Sequence, residues 1–227
     1  MDVNRIAVAI DGPSGAGKST IARRMAQSLG YIYVDTGALY RSIALYALRN
    51  EKAPDNPDEV VPLLKNIRLT MDYKGGKQHV YLNGEDVSGA IRSETVSIAT
   101  SQVSAIPQVR AFLLDWQKEI AEHNNVVMDG RDIGTVVLPN AQVKIFLTAS
   151  AEERARRRWQ QYVKKGEDIS FEEVLRDVVR RDEKDTNREI SKLEAAPDAI
   201  IVDTTGNELE RSISIITHLV REKLGYE

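Results

Sequence analysis

The stretch Ile6-Ala7-Val8-Ala9-Ile10-Asp11-Gly12-Pro13-Ser14-Gly15-Ala16-Gly17-Lys18-Ser19-Thr20 decides the fold. An apolar run short enough to be a buried strand ends in Gly12–Ser19, which fits GxxxxGK[ST], and a helix-forming stretch starts near Lys18. That strand–loop–helix setting is the one a phosphate-binding P-loop requires. A chain that wraps backbone N–H groups around a polyphosphate needs glycine, because a Cβ blocks close approach and disfavours positive φ. Gly12, Gly15 and Gly17 meet that need. Lys18 then offers an ammonium to the β- and γ-phosphates, Ser19 a hydroxyl to Mg²⁺, and the helix start the positive end of its dipole, a site for a Mg-nucleoside triphosphate.

Further apolar runs at Tyr31–Val34, Val126–Met128, Val143–Leu147 and Ala199–Val202 read as buried strands. Being apolar throughout rather than alternating, they suit a parallel sheet covered on both faces. Helical patterns follow at Lys18–Leu29, Ala38–Arg49, Pro107–Glu122, Ala151–Lys164, Phe171–Arg181 and Glu208–Lys223. The expected fold is an α/β, doubly wound, five-stranded parallel sheet with its ligand crevice at the strands' C-terminal ends. The texture changes over 62–104, where Ile67–Tyr73, the turn Lys74-Gly75-Gly76-Lys77, Gln78–Leu82 and Asn83-Gly84 before Glu85–Val87 predict a small antiparallel β insertion. A charge-dense region over 154–189, broken at Gly166, is a candidate helical lid. With 227 residues, the chain suits one compact enzyme-sized domain, with a core of 1–61, 105–153 and 190–227 around these two regions.

Acids and bases nearly balance at a formal charge of −3, so nothing global points to nucleic acid or to an anionic membrane. The absence of cysteine excludes disulfides, a thiol nucleophile and thiolate metal sites, and fits a reducing compartment. No apolar run approaches membrane length, and the first is too short for a signal-peptide core; the expected location is the cytoplasm. His79, His123 and His218 lack metal-like spacing and are expected at the surface or in packing, and Trp116 and Trp159 in core contacts.

The P-loop fixes a nucleotide but not a reaction. Val126-Val127-Met128-Asp129-Gly130-Arg131-Asp132 places an acid directly after a buried strand, where a Walker-B carboxylate holds the Mg²⁺ water shell, and Asp129 is the candidate. Asp35-Thr36-Gly37-Ala38-Leu39-Tyr40-Arg41 puts Arg41 on the first turns of a helix facing the crevice, where a guanidinium can fork onto a phosphate. Arg154, Arg156, Arg157, Arg158, Arg180, Arg181 and Arg188 are in part solvated helix faces and in part a cluster that a closing lid brings to the phosphates.

GPSGAGKST, DTGALYR, TSQVS, MDGRDIGTVVLPNA, ASAEERARRR and RRDEKDTNRE, in this order, resemble the bacterial cytidylate (CMP/dCMP) kinase family over nearly the whole chain. MDGRDIGT and RRDxxDxxR discriminate that family from other P-loop kinases. The resemblance implies an ATP-dependent phosphotransferase using Mg²⁺, with CMP or dCMP as acceptor and no nucleic acid or membrane partner, acting as a monomer. It implies that Gly12–Thr20 bind the donor together with Arg154 and Arg158, and that Lys18, Arg131, Arg181 and Arg188 stabilise the transferring group. Arg41, Arg131 and Arg188 would hold the acceptor phosphate, Ser101, Arg110 and Asp132 the cytosine edge, and Arg181 with Asp185 the sugar and phosphate region. Thr36 would contact the nucleoside; the family commonly has serine there, and threonine keeps the hydroxyl while adding a methyl. Ser19, Asp129 and Asp35 are the candidates to organise Mg²⁺. A kinase for AMP, UMP or shikimate is the nearest rival, and a nucleotide-dependent switch or motor is a rival of another class; no NKxD guanine-reading motif is present.

Overall fold

The apolar runs become strands, buried at the centre of the sheet. Ala199–Val202, expected to be buried, instead supplies an edge strand with no buried residue and with Ile201 66% exposed, because only one side of it is flanked by another strand. In the computed structural model, which describes residues 5–74, 77–188 and 190–226, the chain runs through β1 (Ala7–Asp11), α1 (Lys18–Leu29), β2 (Ile32–Asp35), α2 (Thr36–Arg49), α3 (Pro57–Val60), β3 (Leu69–Lys74), β4 (Lys77–Leu82) and β5 (Glu85–Asp86). It continues through α4 (Glu94–Val103), α5 (Pro107–His123), β6 (Val126–Asp129), β7 (Val143–Thr148), α6 (Ala151–Lys164), α7 (Phe171–Thr186), β8 (Ile200–Asp203) and α8 (Leu209–Leu224). The main sheet has the order β2-β6-β1-β7-β8. β1 pairs in parallel with β6 (Ile10 opposite Asp129) and with β7 (Asp11 opposite Phe146), so the P-loop leaves a central strand. All of β6 is buried, as a strand covered on both faces must be.

By internal contacts the chain divides into two compact units, one formed by residues up to Ile32 and from Asn124 onward, the other by Tyr33–His123. In the first, α1 turns Ile21, Ala22, Met25 and Ala26 inward on one face and packs on β6. Full burial of Ile21 or Met25 contributes about 1.5–3 kcal/mol each. Gly30 ends the helix in the left-handed conformation, its N–H on the Ala26 carbonyl. α6 and α7 form a helical hairpin capped by Ser150 and by a Ser170–Glu173 capping box. Its small core is Ala155, Val174 and Val178, against which Trp159 and Phe171 pack edge to face.

The second unit holds the whole expected insertion. β3, β4 and β5 form an antiparallel sheet, and Asn83 (φ 53°) with Gly84 (φ 89°) makes the two-residue turn that the Asn-Gly pair predicts. Gly75 and Gly76 of the other predicted turn lie outside the described residues. One apolar cluster joins α2, the β-strands, α4 and α5 through Leu39, Ile43, Val80, Ile91, Val103 and Leu113, with Trp116 against its edge.

Besides the short α3, two longer helices depart from the sequence reading. α4 stands in a region read only as a meander, although Ser93 caps it and Val96, Ala99, Thr100 and Val103 recur at helical spacing. α7 runs on past Arg181 to Thr186, because its buried stripe Val174, Val178 continues to Asp185, which ion pairs rather than apolar contacts keep inside. Among the described residues no helix is long and apolar enough to cross a membrane.

Candidate active site

The loop between β1 and α1 passes so close to β7 that only glycine fits at its start. Gly12 has φ 143°, and a Cβ there would lie 1.9 Å from the Leu147 carbonyl oxygen. Gly17 caps α1 in the left-handed region at φ 94°. Lys18 is buried, its ammonium donating to the Pro13 carbonyl at 2.7 Å. Burial and the Arg131 charge push it well below the ordinary lysine range, against the pull of Asp129 and Asp11, and a polyphosphate in the loop would restore the charged form.

Behind the loop, the Ser19 hydroxyl donates to Asp129 Oδ2 at 2.9 Å. The pair offers two hard oxygens, one from the first turn of α1 and one from the end of β6, the donor set that suits Mg²⁺. Among the described residues no three His, Cys, Asp or Glu side chains gather as metal ligands, so such an ion would draw its other ligands from phosphate and water.

A guanidinium cluster faces this end of the first unit. Asp185, 3% exposed, accepts from Arg131 Nε at 3.0 Å and pairs with Arg188 at 2.7 Å. Burial alone would raise its carboxyl, but Arg131 and Arg188 outweigh it and hold the group below the usual carboxylate range. Arg181 adds its charge to both Lys18 and Asp185, so Lys18, Arg131, Arg181 and Arg188 share one electrostatic neighbourhood. Asp132 is buried beside Asp11, at the entry to a π-helical turn, Ile133–Val137.

The other basic residues of the first unit divide. Arg154 is buried and saturated by protein: Nε donates to the Ala149 carbonyl at 2.8 Å, Nη1 to the Ser14 carbonyl at 3.1 Å, and both terminal nitrogens to Asp182 at 3.0 and 2.5 Å. Sequence reasoning sought nucleotide phosphates there and missed Asp182, whose signal was its position beside Arg181 on a charge-dense helix. Arg158 donates to the Tyr162 hydroxyl at 2.9 Å, Arg157 pairs with Glu153, Arg156 lies over Phe171, and Arg180 pairs with Asp177.

In the second unit, Asp35 caps α2 by accepting from the Ala38 N–H at 3.0 Å, and its other oxygen holds Arg41 at 2.7 Å. Both oxygens are thus engaged locally. Arg41 Nε is buried and has no hydrogen-bond partner among the described residues. The Asp35 N–H donates to Gln78 of β4, and Tyr73 of β3 donates to the Tyr33 carbonyl, so the hairpin braces the start of α2. Thr36 is buried as the first residue of α2. Arg110 on α5 lies 5.4 Å from the Tyr40 ring and donates to the Ser104 carbonyl at the end of α4, the helix that carries the half-buried Ser101. His79 pairs with Asp86 at the hairpin surface and His123 contacts the Glu119 carbonyl, both apart from these groups.

A loop that cradles phosphate, backed by hard oxygens and buried guanidiniums on a doubly wound sheet, places the chain among the P-loop phosphotransferases. The family model for cytidylate kinase matches residues 8–222. Curated relatives agree: a cytidylate kinase of Carboxydothermus hydrogenoformans is 48% identical over 216 residues, covering 95% of this chain and 97% of that one. A cytidylate kinase of Caldicellulosiruptor bescii is 45% identical over 217 residues, covering 96% of each. This chain belongs to the cytidylate kinase family. A crystal structure of an uncharacterized protein from Eubacterium ventriosum shares the fold at a TM-score of 0.50 and 11% identity, covering 95% of this chain and 98% of that one.

Proposed function

We propose that this chain transfers the γ-phosphoryl group of Mg-ATP to CMP or dCMP, giving CDP or dCDP and ADP. A phosphate oxygen of the acceptor attacks the γ-phosphorus, and the bond from that phosphorus to the β–γ bridging oxygen breaks. The acceptor phosphate, with a second pKa near 6, is already largely ionised at neutral pH, so no general base is required. The chain's task is positioning and charge stabilisation.

The observation that carries this reading is the buried Asp185 carboxylate fixing Arg131 and Arg188 in the same electrostatic neighbourhood as Lys18. Guanidiniums held before substrate arrives stabilise developing charge without reorganising at the moment of transfer. Gly12–Thr20 hold the donor phosphates, Ser19 and Asp129 hold Mg²⁺, and the ion supplies electrostatic stabilisation of the transferring phosphoryl group. We assign Asp35 to capping α2 and orienting Arg41, since both of its oxygens are engaged there. Arg41, Arg131 and Arg188 take the acceptor phosphate, Arg181 with Asp185 the sugar side, and Thr36 the nucleoside. Ser101, Arg110 and Asp132 read the cytosine edge. Arg158 serves the donor side from a lid formed by α6 and α7, and Arg154 does so by bracing the P-loop carbonyl of Ser14. We take the enzyme to be a cytoplasmic monomer.

Cytosine presents an amino group where uracil presents a carbonyl, so the Asp132 side-chain oxygens facing it accept a hydrogen bond from the first and repel the second. Replacing Asp132 by Asn, whose amide can turn a donor toward uracil, should lower kcat/KM for CMP and narrow the CMP to UMP ratio. A site built on a buried polar contact can discriminate by about 10⁴-fold or more, so the change is large enough to read. An equal fall for both acceptors would remove Asp132 from base recognition.

A further inference from the structure

Asp11 precedes the P-loop consensus, and none of the roles above uses it. It is the last residue of β1, 4% exposed, and both of its oxygens are occupied: Oδ1 accepts the Ile133 N–H at 2.8 Å and Oδ2 the Gly134 N–H at 2.7 Å. These amides open the π-helical turn Ile133–Val137 directly after Asp132. The N–H groups at a helix start have no partner within the helix and must find one elsewhere. Here a carboxylate from another strand supplies it.

The anchorage reaches Asp132 through the backbone. The Val136 and Val137 N–H groups both donate to the Asp132 carbonyl, at 2.8 and 3.2 Å, so the turn that Asp11 holds also fixes the peptide that carries Asp132. On the preceding side the Gly130 N–H donates to the Ile10 carbonyl at 3.0 Å, which leaves Arg131 and Asp132 spanned between two attachments to the end of β1. Gly134 permits the close fit, since a Cβ there would lie 3.4 Å from Asp11 Oδ2 and 3.2 Å from the Lys144 side chain. Asp11 is joined directly to Gly12, whose seat against Leu147 starts the donor loop.

We infer that Asp11 is a positioning residue which, through the Ile133 and Gly134 amides, sets the turn bearing Arg131 and Asp132 against the donor loop. The inference rests on the acceptor-reading role proposed above for Asp132. A buried carboxylate is costly unless its hydrogen bonds are satisfied, and Asp11 spends both oxygens on two backbone amides of one functional turn. Burial, with a smaller contribution from Asp132, pushes its carboxyl up to about 6 although the two amides and Lys18 pull it down.

Asp11→Asn tests this in the full chain, because an amide keeps one acceptor and turns a donor toward the second N–H. The Ile133 and Gly134 amides should exchange with solvent at least about tenfold faster, the scale of losing one charge-assisted hydrogen bond. The kcat/KM for CMP should fall at least about tenfold, with a narrower CMP to UMP ratio and a KM for ATP changed less than about threefold. A variant that merely contained less folded enzyme would lose both acceptors equally and keep both KM values. Gly134→Ala is the second variant: it presses the same turn away from Asp11 without removing a buried charge, and it should narrow the ratio in the same direction. Should Asp11→Asn fail to fold, Gly134→Ala decides the matter alone. Unchanged exchange at Ile133 and Gly134, or an unmoved ratio in a protein whose Asp132→Asn variant does narrow it, overturns the inference. If Asp132→Asn leaves the ratio unmoved, base reading by Asp132 fails separately. Asp11 is then judged by exchange and by the KM for CMP, and no change in either refutes it.

Discussion

Replacing Asp185 by Asn removes one charge of nearly the same shape and strands two others. The carboxylate is almost wholly buried and holds Arg131 at 3.0 Å and Arg188 at 2.7 Å, with these arginine side chains only 22% and 13% exposed. A hydrogen bond to a charged group contributes about 1.5–3 kcal/mol, so two such contacts set a gross scale of about 3–6 kcal/mol. Removing one member of a buried ion cluster characteristically costs about 3–5 kcal/mol, because the remaining charges stay desolvated without their counter-ion. For a chain of this size that corresponds to a drop in Tm on the order of 10 °C. The turnover number should fall as well, by about 100-fold or more, since the guanidiniums are no longer held where phosphoryl charge develops. Thermal unfolding at neutral pH, with steady-state kinetics on the same preparation, reads both effects. A loss below about 1 kcal/mol, the scale of an exposed ion pair, together with near-normal turnover would show that Asp185 does not hold the two guanidiniums in place.

Lys18→Ala should leave the fold intact and lower kcat at least about 100-fold by deleting a transition-state contact; near wild-type turnover by the folded variant would contradict the P-loop assignment. Saturating ATP plus CMP should slow amide exchange across α6 and α7, and unchanged protection there would argue against a lid. Two carboxylates respond oppositely to acid. Asp185, held below its ordinary value, contributes stability that is present above the usual carboxylate range and is lost as pH falls through its lowered pKa. Asp11, raised to about 6 by burial and Asp132 against Lys18, binds its proton more tightly folded than unfolded, so its contribution to stability declines as pH rises from about 4 to 6. Because protonated Asp11 cannot accept both amides as ionised Asp11 does, kcat/KM for CMP should fall more steeply below about pH 6 than ionisation of the acceptor phosphate alone requires, and Asp11→Asn should keep only the phosphate's limb; identical profiles in the two proteins would count against the assignment.

Features set by local chemistry were legible in the chain. The P-loop glycines, the acid ending β6, the Asn83-Gly84 turn and the boundaries of α1 and α6 each follow from a few adjacent residues whose conformational limits or spacing leave little choice. What escaped were features made by partners far apart in sequence. Asp11, just past the apolar run, drew no assignment because its donors lie 122 and 123 positions away. Arg154 read as a phosphate ligand, though 28 positions on Asp182 claims its guanidinium. α4 was hidden by a different cause: its strands-then-helix neighbourhood was read at the strand period, while the buried Val96, Ala99, Thr100 and Val103 follow a helical one.

A coupled ADP-release assay with ATP and each of CMP, dCMP, UMP, AMP and GMP separates the candidate acceptors. Turnover should be efficient with CMP or dCMP, and kcat/KM for UMP lower by orders of magnitude, because cytosine's amino group meets the buried Asp132 side chain. Equal or greater efficiency with UMP, AMP or GMP, or ATP hydrolysis without transfer to any of the five, would contradict CMP or dCMP as the acceptor.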